Sequence, residues 1–155
     1  MDMPEPPQPA ARSRAERTAD TLERLRRDVD LWVASASEDG HAYLVPLSYH
    51  WDGSTLTIAT PSASLTARNL IRAGWVRAAL GQTRDVVIVE GRVEAIPIGA
   101  DPELGDAHAR STGFDPRTLA DEYVYLRIAP KEIQAWRESN ELEGRVLMRD
   151  GAWLE

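Results

Sequence analysis

Hydroxyl side chains and a guanidinium gather in one short stretch, ATPSASLTARNL, which spans residues 59–70. Thr60, Ser64 and Thr66 place three hydroxyl groups where a β-branched apolar run gives way to a helical pattern. Arg68 follows with a planar fork that is permanently charged. Such donors hold a phosphate well, especially where the free N–H groups of a helix start point at it. The stretch therefore indicates a phosphate-binding cup.

The same residue types also suit an ordinary helix start. Ser62 or Ser64 could act as an N-cap by accepting a hydrogen bond from the first helical turn. Arg68 could then simply face solvent. From the residues alone, the phosphate cup and the capped helix both remain open.

The histidines do not indicate a metal site or a hydrolase. His41, His50 and His108 are the only three, and none stands three or four residues from another, as helix-borne metal ligands would. Each is interpreted as a surface or partly buried side chain. Ser48 and His50 share one face of a predicted strand. No GxSxG motif accompanies them, so a hydrolase triad is not predicted.

The composition of the chain argues against a nucleic-acid-binding protein and against a membrane-spanning protein. The chain has 155 residues, a net charge of -7 and a sequence pI near 5.0. An acidic chain repels the phosphate backbone, so nucleic-acid binding is not expected. No apolar run approaches the roughly 20 residues of a membrane span, and no apolar signal segment is visible. Cysteine is absent, which suits a cytoplasmic location and leaves no thiolate ligand.

The N-terminal part of the chain has two patterns. Residues 1–12 are rich in proline and poor in apolar side chains, so we predict a disordered tail. Residues 13–28 carry Leu22 and Leu25 at helical spacing, which predicts an amphipathic helix. One folded domain is expected to cover residues 13–155, including that helix.

Short strands are predicted after this helix. Asp39-Gly40 and Asp52-Gly53 separate three β-prone runs and predict hairpins. Pro46 marks an edge, a bulge or an interruption in the second strand. The later predictions are a short helix at 64–73 that ends at Gly74, strands at 75–81, 85–96 and 122–130, a helix at 100–111, and a C-terminal strand, turn and hairpin.

This order of elements favours a small antiparallel barrel. Many short strands joined by tight turns are not typical of a parallel sheet built from strand–helix–strand units. Gly91, inside the fifth strand, predicts a bulge or a close approach of another backbone. Neither GxGxxG nor GxxxxGK[ST] occurs, so no standard nucleotide loop is indicated.

The order of these motifs resembles the pyridoxamine 5′-phosphate oxidase-like FMN-binding split-barrel superfamily. The resemblance covers about residues 22–154 and rests on HAYLVPLSYHW, SLTARNL and RDVVIVEG, in that order. It implies a mainly β fold with flanking helices, namely a six-stranded split β-barrel of the FMN-binding type. It also implies a homodimer with a cofactor in a groove between the subunits. The C-terminal segment looks like that of uncharacterised actinobacterial members.

The resemblance also assigns residues to that groove. The second strand would lie along the flavin ring, and the stretch that begins at Thr60 would hold the phosphate, which favours the cup over the simple cap. Segments with Trp136 and Arg145 would cover the ring from the second subunit. The implied cofactor-binding residues are Val45, Pro46, Leu47, Ser48, Thr60, Ser64, Thr66, Arg68, Asn69, Arg84, Trp136 and Arg145.

The implied activity is that of an oxidoreductase that transfers hydride between FMN and a small conjugated substrate. Pyridoxamine 5′-phosphate oxidation itself is not assigned, because the chain departs from the oxidase pattern. Asp85 stands where those enzymes carry Gln, and Leu65 stands where Lys or Arg is common. No catalytic residue is assigned, although Tyr49, His50 and Arg145 are candidates.

Two alternatives remain open. One is a non-enzymatic carrier of flavin or haem, in which haem would require one of the three histidines. The other is a reductase that uses the deazaflavin F420, whose acidic tail would need a basic groove. If the N-terminal helix folds over the cleft, the groove could be supplied by Arg12, Arg14, Arg17, Arg24, Arg26 and Arg27.

Overall fold

The computed structural model describes residues 3–155 of the chain. Its elements are the helices α1 (Arg14–Arg27), α2 (Leu65–Ala73) and α3 (Pro102–Thr112), and the strands β1 (Asp30–Ala36), β2 (Ala42–Trp51), β3 (Leu56–Pro61), β4 (Trp75–Gln82), β5 (Asp85–Pro97), β6 (Tyr123–Trp136), β7 (Val146–Arg149) and β8 (Ala152–Trp153).

The strands form one antiparallel sheet that closes on itself. The sheet order is β3-β2-β1-β4-β5-β6-β7-β8, and β3 also pairs with β6. Strands β1 to β6 therefore make a closed six-stranded barrel, while β7 and β8 extend one edge of it. The predicted mainly β fold, a six-stranded barrel with flanking helices, is confirmed.

Strand β6 completes the barrel, and it runs further than the sequence predicted. The prediction ended this strand at Pro130 and began another afterwards, but the structure has one continuous strand, Tyr123–Trp136. Pro130 is tolerated because it lies at a bulge, where the register with β5 shifts just before Gly91 and Lys131 is left without a partner in β5. A Cβ on Gly91 would overlap the backbone of Ala129. The bulge and the close backbone approach predicted at Gly91 are both confirmed.

The other strand that carries a proline is β2. Pro46 stands opposite Trp32 of β1, while β3 pairs with β2 only over residues 49–51. Pro46 therefore lies in a part of β2 that has one neighbouring strand. Of the three alternatives left open by the sequence, the structure has the edge position.

The core fills the barrel with alternating side chains. Leu56 and Ile58 of β3 and Leu126 of β6 are fully buried. Helix α2 adds Ala67 and Leu70 to the same cluster. The helix ends as predicted at Gly74, whose positive φ of 67° suits a residue without a side chain.

The other two helices pack against the outside of the barrel. Helix α1 begins with a capping box between Ser13 and Glu16 and lies against β6 and β7. Helix α3 packs against β2. Beneath it is a second small core, in which Ile96, Leu104 and Tyr125 are buried.

Two further expectations concern disorder in the N-terminal tail and the absence of a membrane span. Met1 and Asp2, which begin the predicted tail, lie outside the described residues. The disorder predicted for residues 1–12 stays a prediction, although Arg12 is tied to Glu141. Within residues 3–155, no helix has the length and apolar character that a membrane crossing would require.

Candidate functional site

The start of α2 brings two of the predicted phosphate-binding hydroxyls together. Ser64 is the N-cap residue, and its Oγ accepts a hydrogen bond from the backbone N–H of Ala67 at 3.1 Å. The same oxygen lies 3.0 Å from Oγ1 of Thr60, at the end of β3. The N–H groups of Leu65 and Thr66, in the first turn, have no partner within the helix. The capped helix is therefore present, and it leaves donors for an anion.

The remaining residues of the predicted cup point in different directions. Thr66 and Asn69 are buried on the barrel side of α2, and Nδ2 of Asn69 donates to Oγ of Ser35 at 3.1 Å. Arg68 lies on the opposite, exposed face of the helix. The structure thus gathers Thr60 and Ser64 at the helix start and separates Arg68 from the two buried polar residues.

The predicted ring-binding segment of β2 has two faces. Val45 and Leu47 pack against the barrel core, while Pro46 is exposed on the outer face. Ser48 also lies on the outer face, and its hydroxyl donates to Asp30 at 2.7 Å. Only the outer face is therefore open to a ligand.

A cavity of about 280 Å³ lies on this outer face, between the barrel and α3. We name it the β2–α3 pocket. Ala59 and Pro61 in its wall stand on either side of Thr60 in β3, whose own side chain points to the opposite face of the strand. Its lining residues are Pro46, Leu47, Ser48, Ala59, Pro61, His108, Phe114 and Tyr123.

His108 of α3 is one of five pocket residues that the sequence did not identify, with Ala59, Pro61, Phe114 and Tyr123. It was interpreted as a surface or partly buried side chain, but it is 1% exposed. Burial lowers its pKa to about 4, so the ring is neutral at physiological pH. The signal was present in the sequence, because His108 stands one turn after Leu104, on the apolar face of a predicted helix.

Three predicted cofactor residues lie elsewhere on the chain. Trp136 is at the far end of β6 from Tyr123, and the guanidinium of Arg145 lies 5.8 Å from its ring centroid. Arg84, in the β4–β5 turn, forms an exposed ion pair with Glu138 at 3.2 Å. Within one subunit, these residues do not join the β2–α3 pocket. Their role as cofactor-binding residues stays a prediction that needs a second subunit.

The charge of Asp85, a departure from the oxidase pattern, is balanced inside the chain. Its carboxylate is 2.9 Å from Nη2 of Arg24 and 3.3 Å from Nε of Arg137. Asp85 is therefore held by the N-terminal helix and the end of β6, with two cations opposite its charge.

The N-terminal arginines are also engaged within the chain. Arg17 is buried and donates to the carbonyl oxygens of Ala135 and Glu141. These contacts are at the end of β6, whereas Thr60 pairs opposite Val124 near its beginning. Helix α1 therefore does not cover the start of α2 in the same subunit. Hydrogen bonds or ion pairs within the chain are formed by Arg12, Arg14, Arg17, Arg24, Arg26 and Arg27.

Solved structures of several proteins share this fold. A conserved hypothetical protein from Mycobacterium tuberculosis is 20% identical, with a TM-score of 0.63 over 79% of this chain and 85% of that one. An F420 reductase is 20% identical, with a TM-score of 0.60 over 72% of this chain and 93% of that one. A pyridoxamine 5′-phosphate oxidase-related, FMN-binding protein from Nostoc punctiforme PCC 73102 is 15% identical, with a TM-score of 0.54 over 77% and 81%. At these identities, the likeness establishes the fold alone.

The sequence comparisons establish the family. No curated protein matches the chain. The family model described as pyridoxamine 5′-phosphate oxidase matches residues 18–137, from helix α1 through the whole closed barrel. The resemblance inferred from the order of motifs is confirmed, and the chain belongs to the pyridoxamine 5′-phosphate oxidase family.

Proposed function

We propose that the protein binds FMN and transfers hydride between the flavin and a small conjugated substrate. The observation that carries this proposal is the adjacency of two features. Both features use the end of β3, where Thr60 contacts Ser64 at the start of α2 and its chain neighbours Ala59 and Pro61 line the β2–α3 pocket on the other face of the strand. FMN has an anionic phosphate and a planar ring joined by a short chain, so its phosphate would lie at the start of α2 and its ring along the outer face of β2.

The residues at the start of α2 fit a phosphate. The first-turn N–H groups and the hydroxyls of Thr60 and Ser64 are donors, and the helix dipole favours an anion at this end. Arg68 is exposed on the same helix and has no recorded ion pair within residues 3–155. Its flexible side chain would add a charge-assisted hydrogen bond by bending toward the helix start.

The flavin ring would lie along the outer face of β2, and the β2–α3 pocket beside it would hold the reaction partner. Pro46, Ala59 and Phe114 give the pocket apolar walls, which exclude water and position flat molecules. When bound, FMN supplies the hydride chemistry. The chain then binds and orients the reactants. The Ser48 hydroxyl already donates to Asp30, so it is held in place by the protein.

We further propose that the protein is a homodimer with the cofactor at the subunit interface. Trp32 and Leu44 are large apolar side chains on the outer face of the barrel, 49% and 59% exposed. Pro46 and Ala79 lie beside Trp32 in the strand register and continue this apolar face. Because Pro46 also lines the β2–α3 pocket, a second copy docked on this face would border the pocket. That copy would supply Trp136 and Arg145.

A reductase that uses F420 is the second candidate. This candidate is favoured by the solved structure of an F420 reductase that has the same fold. The structural alignment covers 93% of that reductase. The acidic F420 tail would need free cations, but the arginines of the N-terminal region already have partners within the chain. FMN, which has no such tail, is therefore the better-supported cofactor.

A transient-kinetic experiment tests the proposed reaction. The FMN-saturated protein is reduced with dithionite without oxygen and is then mixed with a panel of conjugated acceptors. We expect at least one acceptor to reoxidise the protein-bound flavin faster than it reoxidises free FMN. Equal reoxidation rates for bound and free flavin across the panel would contradict the proposed oxidoreductase and would support a flavin carrier.

A further inference from the structure

His108 lies in the wall of the β2–α3 pocket with no hydrogen bond of normal geometry from the described part of the chain to either ring nitrogen. The side chain is 1% exposed, and neither ring nitrogen has a hydrogen-bond partner within residues 3–155. The backbone of Phe114 lies close enough to influence the ring, but it makes no hydrogen bond of normal geometry with either nitrogen. The hydroxyl of Tyr125 is likewise buried and unpartnered among these residues.

Such an arrangement is costly for a group with only a packing role. A buried polar group without a partner loses its hydration and gains nothing in return, at a cost of about 1–3 kcal/mol. Around His108, the helix packs through Leu104 onto Ile96 and Tyr125, where an apolar side chain would serve as well. The ring of His108 meets that of Tyr125 edge-on, with the centroids 5.4 Å apart. The imidazole is therefore held in place at the wall of a cavity, and its two ring nitrogens are available for hydrogen bonds to a ligand.

The chemistry of the wall defines what could use that capacity. No lining residue of the pocket carries a carboxylate, an ammonium or a guanidinium group. A charged ligand would lose its hydration there without a counter-charge. The imidazole is neutral because burial lowers its pKa to about 4, and a neutral imidazole offers one N–H donor and one acceptor nitrogen. The flat apolar walls favour a planar molecule.

We infer that the β2–α3 pocket is the substrate site and that it takes a neutral planar ring compound whose carbonyl or hydroxyl group hydrogen-bonds to His108. This inference rests on the proposed function, because a substrate site needs a redox cofactor beside it. Tyr125 packs edge-on against the imidazole.

Three small probes of matched shape test this inference on the full-length wild-type protein, with and without FMN. Acetophenone is neutral and planar and has one carbonyl. α-Methylstyrene replaces the carbonyl oxygen with a CH₂ group, and benzoate adds a negative charge. We expect acetophenone to bind about 3- to 10-fold more tightly than α-methylstyrene, which corresponds to one net hydrogen bond. Benzoate should bind more weakly than acetophenone.

In NMR spectra of the histidine rings, acetophenone should shift the His108 signals and leave those of exposed His41 unchanged.

Substitution at the same position gives a second readout. In His108→Leu, the preference for acetophenone over α-methylstyrene should fall to about 1-fold, while the FMN affinity stays unchanged. His41→Leu, the same substitution on an exposed loop, should keep the wild-type preference. Leucine suits the apolar surroundings of His108, so the thermal midpoint should not fall. The wild-type titration decides the question even if this variant fails to fold.

Several results would overturn the inference. The first is equal affinity of the wild type for acetophenone and α-methylstyrene. The second is a set of His108 NMR signals that do not shift when acetophenone is added. The third is tighter binding of benzoate than of acetophenone. A loss of FMN affinity in His108→Leu with unchanged acetophenone binding would assign His108 to the cofactor and would also overturn it. If FMN does not bind but the wild type still prefers acetophenone, the proposed function fails and the inferred ligand chemistry of the pocket stands.

Discussion

Two buried polar side chains, Glu141 and His108, differ in how they are satisfied. Glu141 is 2% exposed, and its carboxylate accepts hydrogen bonds from Arg12 and from the backbone N–H of Arg137. His108 is just as buried, but its ring nitrogens have no partner among residues 3–155. A fully bonded buried group stabilises the fold, whereas an unbonded one leaves capacity for a ligand.

Glu141→Gln should lower the free energy of unfolding in a pH-dependent way. Hydrogen bonds from Arg12 lower the pKa of Glu141 from 4.5 to about 2. Because the folded-state pKa is depressed, the carboxylate stabilises the protein above about pH 4.5, and this contribution is lost as the pH falls toward 2. Urea unfolding at neutral pH should show a loss of about 2–3 kcal/mol in the variant.

The matched control for this prediction is Glu143→Gln, an exposed glutamate in the same turn. Its free energy of unfolding should stay within about 0.5 kcal/mol of the wild type. The stability difference between Glu141→Gln and the wild type should shrink at low pH. A difference that is the same at neutral and acidic pH would show that the carboxylate charge is not what stabilises this contact.

At the scale of elements, helix α2 combines a structural cap with the proposed phosphate site. Ser64→Ala should cost about 1 kcal/mol of stability because it removes the N-cap and the contact with Thr60. Arg68→Ala should leave stability within about 0.5 kcal/mol but weaken FMN binding by about 1.5–3 kcal/mol through a lost charge-assisted hydrogen bond. Urea unfolding and FMN fluorescence titration measure the two effects.

Arg149→Ala, an exposed arginine on β7, is the control for the charge effect. It should change neither the stability nor the affinity for FMN. Equal FMN affinities of Arg68→Ala and the wild type would remove Arg68 from the phosphate site.

The bulge between β5 and β6 brings the backbone of β6 too close to Gly91 for a side chain at this position. Gly91→Ala should destabilise the fold by about 2–3 kcal/mol, because the new Cβ would lie 2.8 Å from the carbonyl carbon of Ala129. Gly105→Ala in α3 is the comparison, since its Cβ would meet only the flexible end of Arg117 and alanine favours a helix. If both substitutions cost the same in urea unfolding, the close approach at the bulge is not what requires Gly91.

The elements also show which features the sequence could predict. The hairpin at Asp52-Gly53 and the end of α2 at Gly74 depend on neighbouring residues, so local signals identified them. The path of β6 through Pro130 depends on a bulge opposite Gly91, which is distant in sequence. Local reasoning therefore split one strand into two.

In the candidate site, too, the sequence predicts local features and does not predict contacts between residues that are distant in the chain. Ser64 was predicted as part of a helix start, and the structure has it there as the N-cap. Its contact with Thr60 fits the predicted cup. The position of His108 one turn after Leu104 places it on the apolar face of the predicted helix, but its complete burial arises only when α3 packs on the barrel. Trp136 and Arg145 lie at the far end of β6 from the pocket, which a linear sequence does not show.

At the scale of the whole molecule, the proposed dimer depends on the apolar outer face of the barrel. Trp32 and Leu44 are exposed there, and a cavity of about 270 Å³ lies beside Trp32, Pro46 and Ala79. Exposed apolar areas of this kind mark protein interfaces. Trp32→Glu and Leu44→Glu should shift the protein from dimer to monomer in sedimentation velocity and weaken FMN binding at least about 10-fold, equivalent to about 1.4 kcal/mol.

Leu119→Glu serves as the control, because Leu119 is also exposed but lies in the segment between α3 and β6. It should remain dimeric and bind FMN normally. A wild-type protein that sediments as a monomer at all concentrations would contradict the intersubunit site.

An equilibrium titration of the cofactor-free protein with FMN and, side by side, with F420 tests whether the protein binds a flavin. We predict saturable binding of FMN at one molecule per subunit, with weaker binding of F420, since the start of α2 suits a phosphate and the N-terminal arginines are engaged within the chain. Tight binding of F420 alone would contradict the FMN assignment and favour the deazaflavin reductase. Binding of neither cofactor would contradict the central claim and leave α2 as a capped helix.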